Sequence, residues 1–197
     1  MGRSQQSTSV IQQQTACDLV FQMKVTLRGI RPPIWRRVKV TSDTLLWALH
    51  GVLQAVMGWN EEHQHRFLIN GIYYGESGLS TPALEVIDEE SVRLDEVISA
   101  ENQKFLYQYG SGTGWEHEIL IEKILPHGDG ERYPTCRYGE RACPPEHSGN
   151  PWGYREFLKG LKDSSGNADA RRRTKGEPCF DPEEFAPAEA NRRLGWG

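Results

Sequence analysis

Long apolar runs are missing from this chain. No stretch approaches the ~18 consecutive apolar residues of a membrane-spanning helix, and none is expected to cross a bilayer. The opening M-G-R-S-Q-Q-S-T-S-V-I-Q-Q-Q-T-A is polar and rich in Gln and Ser, without the apolar centre of a signal peptide. Cysteine is scarce as well. Four scattered cysteines in 197 residues do not make a secreted disulfide scaffold. Together these absences lead us to expect a reducing, cytoplasmic compartment. A basic excess is also lacking: the net charge of −4 argues against a dedicated nucleic-acid binder. There is no internal repeat. What remains is an ordinary chain whose 37% hydrophobic content suffices for a core without covalent staples.

The charge is unevenly spread. Between Asp18 and Asp43 there is no acid, yet Lys24, Arg28, Arg31, Arg36, Arg37 and Lys39 all fall there. Glu85, Asp88, Glu89, Glu90, Asp95, Glu96 and Glu101 form an acidic run broken only by Arg93. Two solvated faces that partly neutralise each other account for this pattern. The competing expectation is a basic surface that docks an acidic protein or a nucleic acid.

Residues 1–17 read as a disordered lead-in. From Leu19 to Leu27 apolar and polar residues alternate, as in a half-buried strand. Gly29 to Pro33 turn the chain, and Ile34 to Val40 form a second strand. On it Trp35, Arg37 and Lys39 share the outer face, so that Arg28, Trp35, Arg37 and Lys39 make a candidate binding stripe. Arg36 falls in register with Ile34 and Val38, which places it either at a sheet edge or beside a buried acid. Thr41 or Ser42 is expected to cap a helix carrying Leu45, Leu46, Leu49, Val52, Leu53 and Val56 and ending at Gly58.

Asn70-Gly71 between two apolar runs signals a tight hairpin. Leu94 to Ile98 reads as a short helix. Lys104–Tyr109 and Trp115–Leu125 form a long hairpin around G-S-G-T-G. Those glycines join two strands and open no helix, so they are a turn and not a phosphate cradle. Pro126 to Asn150 reads as a loop, Gly153 to Lys162 as a helix, and 163–178 as a linker. D-P-E-E-F is expected to open a last helix with Asp181 as its N-cap. The organisation expected is one domain over 18–162 with a C-terminal helical appendage at 179–197. The fold class is α+β: a mainly antiparallel sheet built from two hairpins, with helices packed on one face.

Soft ligands gather in the loop. Cys136, Cys143 and His147 give C-x₆-C-x₃-H, with His117 or Cys179 available as a fourth zinc ligand. The six-residue gap is wider than a standard knuckle, and no cofactor is required by the rest of the chain. His117 alternates with Trp115, Ile119 and Ile121, the position of a hydrogen-bonded core histidine. The two cysteines serve equally as small buried hydrophobes. His63 and His65, two apart in a strand, share a face and with His117 or Glu61 offer a second metal set, the basis of an alternative reading as a metal-dependent hydrolase or nuclease. Packing of Tyr133, Tyr138 and Trp152 onto the sheet is the favoured device for holding the loop. On that account both cysteines are mostly buried, Glu146 accepts hydrogen bonds from the loop, and His147 is exposed.

Several segments resemble one family. They are V-T-L-R-G-I-R-P-P-I-W-R-R-V at 25–38, L-H-G-V-L-Q-A-V-M-G-W at 49–59, H-Q-H-R-F at 63–67 and G-W-E-H-E-I-L-I-E-K-I-L-P at 114–126. Y-P-T-C-x₆-C-P-P-E, G-Y-R-E-F-L and F-D-P-E-E-F follow in order. The set resembles the plasmid Ri open-reading-frame-three-like family, whose members are often labelled insertion-element passenger or TnpR-type proteins, over about residues 19–194. The resemblance implies a compact α+β domain and little about activity. The resolvase suggestion in the TnpR label lacks support, since neither a serine- nor a tyrosine-recombinase constellation can be read. The chain also departs from the pattern. Where relatives commonly carry Y-D-F-G-D-x-W-x-H, Gly110 and Thr113 replace both aspartates. With no demonstrable catalytic constellation in the residues, the expectation is a mobile-element-associated binding or accessory module.

Overall fold

The computed structural model describes residues 19–60, 63–110, 112, 114–163 and 180–195. The expected lead-in at 1–17 and most of the expected linker lie outside them.

Alternation in the first strand has its expected result. Strand β1 (Leu19–Leu27) buries Phe21, Met23, Val25 and Leu27 and leaves Gln22, Lys24 and Thr26 on the other face. Strand β2 (Trp35–Thr41) returns antiparallel to it. Helix α1 (Leu46–Met57) buries Leu46, Leu49, Val52, Leu53 and Val56 and stops at Gly58, whose φ of 79° a side-chain-bearing residue resists. Its start differs from the sequence expectation. Leu45 is the N-cap and offers no side-chain bond, because a bridge to Arg93 holds it extended and Val92 O accepts the Leu46 N–H at 2.9 Å.

Strands β3 (His65–Ile69) and β4 (Ile72–Gly75) meet through Asn70 and Gly71, at φ 52° and 82°, the two left-handed positions of a type I′ turn. Strand β5 (Val86–Asp88) runs parallel to β4, and a 3₁₀ turn (Glu89–Ser91) leads to the short helix α2 (Leu94–Val97). Strands β6 (Lys104–Tyr109) and β7 (Trp115–Pro126) form the long hairpin.

The fold is α+β with one eight-stranded, mostly antiparallel sheet in the order β5-β4-β3-β6-β7-β1-β2-β8. Two hairpins do not describe it. Three consecutive pairs, β1–β2, β3–β4 and β6–β7, are joined by the β3–β6 and β1–β7 pairings, and β5 and β8 extend the two edges. Strand β8 (Thr135–Glu140) lies inside the stretch read as loop and pairs antiparallel with β2. A 3₁₀ turn (Glu146–Ser148) and helix α3 (Pro151–Asp163) follow. Helix α4 (Pro187–Arg193) packs on α1 and β8. It begins six residues after the expected cap. Asp181 instead closes a turn by accepting the Glu183 N–H at 2.9 Å. Ala186 is extended, as the residue before a proline tends to be, so no helix runs through it. A single core cluster joins the inward strand residues to α1, Leu94, Tyr154 and Ala190. Among the described residues no helix is long and apolar enough to cross a membrane.

Candidate binding cleft

Two faces of the sheet carry chemistry. The outward face holds the expected stripe, but its cations are already engaged. Arg37 makes a two-pronged bond to Glu122 at 2.6 and 2.8 Å, which raises the guanidinium and holds the carboxyl below its usual range. Arg28 meets Glu116 at 2.9 Å and Lys39 meets Glu131 at 3.3 Å. Trp35 lies between Lys24, 4.8 Å from its ring, and Arg37, at 5.2 Å. Neutralisation therefore comes from β7 and the segment before β8. The acidic run at 85–101 uses its carboxylates elsewhere: Asp95 binds its neighbour Arg93 and Glu89 is buried.

Arg36 follows neither expected course. It is buried, and among the described residues no acid pairs with it. Its five N–H groups meet the carbonyls of Val56, Trp35, Glu140 and Arg141 and the Cys143 sulfur, at 2.8 to 3.1 Å, and Phe185 stacks 4.0 Å away. Backbone carbonyls, including one from the last turn of α1, supply the compensating partial charge.

The inward face of β3, β6 and β7 holds a buried polar and aromatic cluster. His50 on α1 stacks on His65, ring centroids 3.5 Å apart. His65 Nε2 lies 2.8 and 3.0 Å from the two oxygens of buried Glu89, so it donates there. The Tyr107 hydroxyl receives the Gln54 amide at 2.8 Å and lies 2.7 Å from His50 Nδ1. Burial and the neighbouring His65 push the His50 pKa down to about 3. Sequence reasoning missed His50, Glu89 and Tyr107. His50 sat in the quoted L-H-G stretch as part of a helix and Glu89 in an acidic run, and nothing local pairs them.

Among the described residues the proposed metal sets do not come together; Glu61 and Cys179 lie outside those residues. His63 is exposed beside Tyr109, and His65 is committed to Glu89. His117 is fully buried and its ring nitrogens make no hydrogen bond. Burial drives its pKa to about 3; the backbone of Tyr107 opposes this without reaching hydrogen-bond geometry. The expectation of a hydrogen-bonded core histidine is thus half right: core, but unbonded. Cys136 is buried under Asn191, which binds its backbone N–H at 2.9 Å and its carbonyl at 2.7 Å. Cys143 sits between Arg36 and Met57, while His147 is exposed against Phe157. Burial raises both thiols to about 11. Among the described residues no group of three or more His, Cys, Asp or Glu is placed to hold a metal ion.

The stretch from Pro126 to Asn150 is not held by the three aromatics. Tyr138 and Trp152 are 59% and 70% exposed. The β2–β8 ladder, the Arg36 bonds and a Trp59 Nε1 bond to Pro144 O at 2.8 Å hold it. Glu146 accepts from Asn60 N at 2.9 Å and from the Tyr109 hydroxyl, which ties the stretch to β6 where bonds from the loop itself were expected.

One open cleft, of about 640 Å³, lies where β1, β3, β6 and β7 end together. Arg28, Arg66, Gln108 and Glu116 form one wall and Leu79, Leu84 and Val86 another; His65 and Trp115 also line it. Gly110, Gly112 and Gly114 lie at its rim. Gly110 (φ 90°) and Gly114 line the cleft, and a Cβ on Gly114 would meet Tyr109 O at 2.4 Å. The position where the resemblance led us to look for an aspartate is therefore at this rim, occupied by Gly110; Thr113 lies outside the described residues. Two buried polar atoms on lining residues lack partners, Trp115 Nε1 and His65 Nδ1. Glu76 approaches Nδ1 only to 3.6 Å, beyond hydrogen-bond reach. The cleft's size lies in the range that takes a small organic molecule.

Comparison with known proteins gives the following. Residues 19–189 match the model of the plasmid pRiA4b ORF-3-like proteins. The uncharacterized protein y4hQ of Sinorhizobium fredii is 38% identical over 148 residues, which is 73% of this chain and 74% of that protein. The crystal structure of MM3350, a protein of unknown function from Methanosarcina mazei Go1, is 35% identical with a TM-score of 0.77. The match covers 87% of this chain and 96% of the other.

Proposed function

The chain belongs to the plasmid pRiA4b ORF-3-like family, and on that footing we propose that it is a binding module whose recognition site is the cleft at the end of the sheet. One observation carries the reading: the cleft, of about 640 Å³, sets Leu79, Leu84 and Val86 against Arg66, a cation that makes no ion pair among the described residues. Bond-making chemistry has little support among the described residues: both thiols stay protonated at neutral pH, and the buried imidazoles of His50 and His117 are held neutral. An accessory role beside other plasmid- or mobile-element-encoded functions suits such a module.

A thermal-shift screen of the pure protein against small organic molecules, run beside phosphodiesterase and esterase assays with and without Zn²⁺ or Mn²⁺, tests this. Stabilising ligands and no turnover are expected. Turnover that disappears in His65→Ala would replace the binding reading with the hydrolase one.

A further inference from the structure

Resting on the cleft reading, we propose that its ligand is a small organic oxyanion: a carboxylate or phosphate head seated on Arg66, with an apolar body against Leu79, Leu84 and Val86. Arg28 is spent on Glu116 at 2.9 Å. Gln108 donates to that same glutamate at 2.8 Å, and its own carbonyl oxygen takes the Arg66 Nε–H at 2.6 Å. This relay runs from β7 through β6 to β3 and fixes the Arg66 plane, which Tyr73 steadies from one side at 4.9 Å. Arg66 makes no ion pair among the described residues, and its bond to Gln108 uses only Nε. The two terminal nitrogens are thus left free on a guanidinium held in place, the arrangement that recognises planar or tetrahedral oxyanions.

Leu79, Leu84 and Val86 add an apolar wall that inorganic phosphate cannot use, and the volume exceeds what a bare ion fills.

The test uses four probes on the full chain by calorimetry and by ¹⁵N NMR of the tryptophan indoles: hexanoate, hexyl phosphate, hexanol and inorganic phosphate. Hexanoate or hexyl phosphate should bind and shift the Trp115 indole signal, and which of the two binds more tightly names the head group. Hexanol and inorganic phosphate should bind at least about tenfold more weakly, one lacking the charge-assisted bonds and the other the apolar contact. Arg66→Gln should weaken the organic anions about tenfold or more, Arg66→Lys should restore only part, and Lys39→Gln, on the same sheet face but outside the cleft, should change nothing. If hexanol binds as well as hexanoate, or Arg66→Gln is without effect, the oxyanion claim fails and the cleft remains a binding site. If no probe moves the Trp115 signal, the oxyanion claim fails outright, and a thermal-shift screen equally without hits removes the cleft reading too.

Discussion

His117 is the residue at which burial and chemistry pull hardest against each other. Its imidazole is enclosed by Trp59 and Tyr107, ring centroids 5.4 and 5.2 Å away, and neither nitrogen is bonded. Enclosure lowers its folded-state pKa from 6.5 to about 3. The sign follows. Between pH 6.5 and 3 the unfolded chain binds a proton at this position that the folded chain refuses, so stability is fully present above 6.5 and drains as pH falls toward 3. His50, lowered to about 3 as well, adds to the same acid limb. His117→Leu removes both the acid limb at this position and an unsatisfied polar group. It should raise stability at pH 7 by about 1 kcal/mol and move the acid-unfolding midpoint downward. Urea titrations at pH 7 and pH 4.5 check this; a destabilised variant at both pH values would mean that the imidazole has a partner the geometry does not reveal.

Elements are locked together by arginines and an asparagine more than by long helix packing. Arg36 on β2 binds the last turn of α1 through Val56 O and the end of β8 through Glu140 O and Arg141 O. Arg36→Met leaves those carbonyls buried without donors and should cost about 3 kcal/mol or more. Amide exchange at Cys136 and Tyr138 should quicken before that of β1, because β8 is the edge strand the clamp retains. A loss below about 1 kcal/mol, with β8 still protected, would contradict the clamp. This contact also shows where the sequence stops being legible. The alternation of β1 and β2, the Asn70-Gly71 turn and the apolar stripe of α1 are local patterns, and they were readable because each depends on neighbours within a few residues. Strand β8 was not: T-C-R-Y-G-E alternates poorly, and it is a strand only because β2 offers it an edge and Asn191 and Arg36 pin it. Charge was legible in amount but not in pairing. The acids that meet Arg28 and Arg37 come from β7, 88 and 85 residues along the chain. The cleft was the least legible feature, since it exists only where four strand ends converge.

At the scale of the whole molecule, the sheet's two faces divide the work. The inward face is closed by α1 and by the histidine–tyrosine cluster. On the outward face Arg28, Arg37 and Lys39 are paired with Glu116, Glu122 and Glu131. The converging ends of β1, β3, β6 and β7 are where space, an apolar wall and an uncommitted cation coincide. The claim that this is the binding site is tested most directly by mapping where small molecules contact the protein. A backbone and indole ¹⁵N NMR titration with a library of small organic acids and neutral fragments provides that map. The account predicts shifts concentrated at Arg66, Gln108, Gly110, Gly114 and the Trp115 indole, with Lys24, Trp35 and Lys39 unmoved. Shifts gathered on Lys24, Trp35 and Lys39, with the cleft silent, would contradict it.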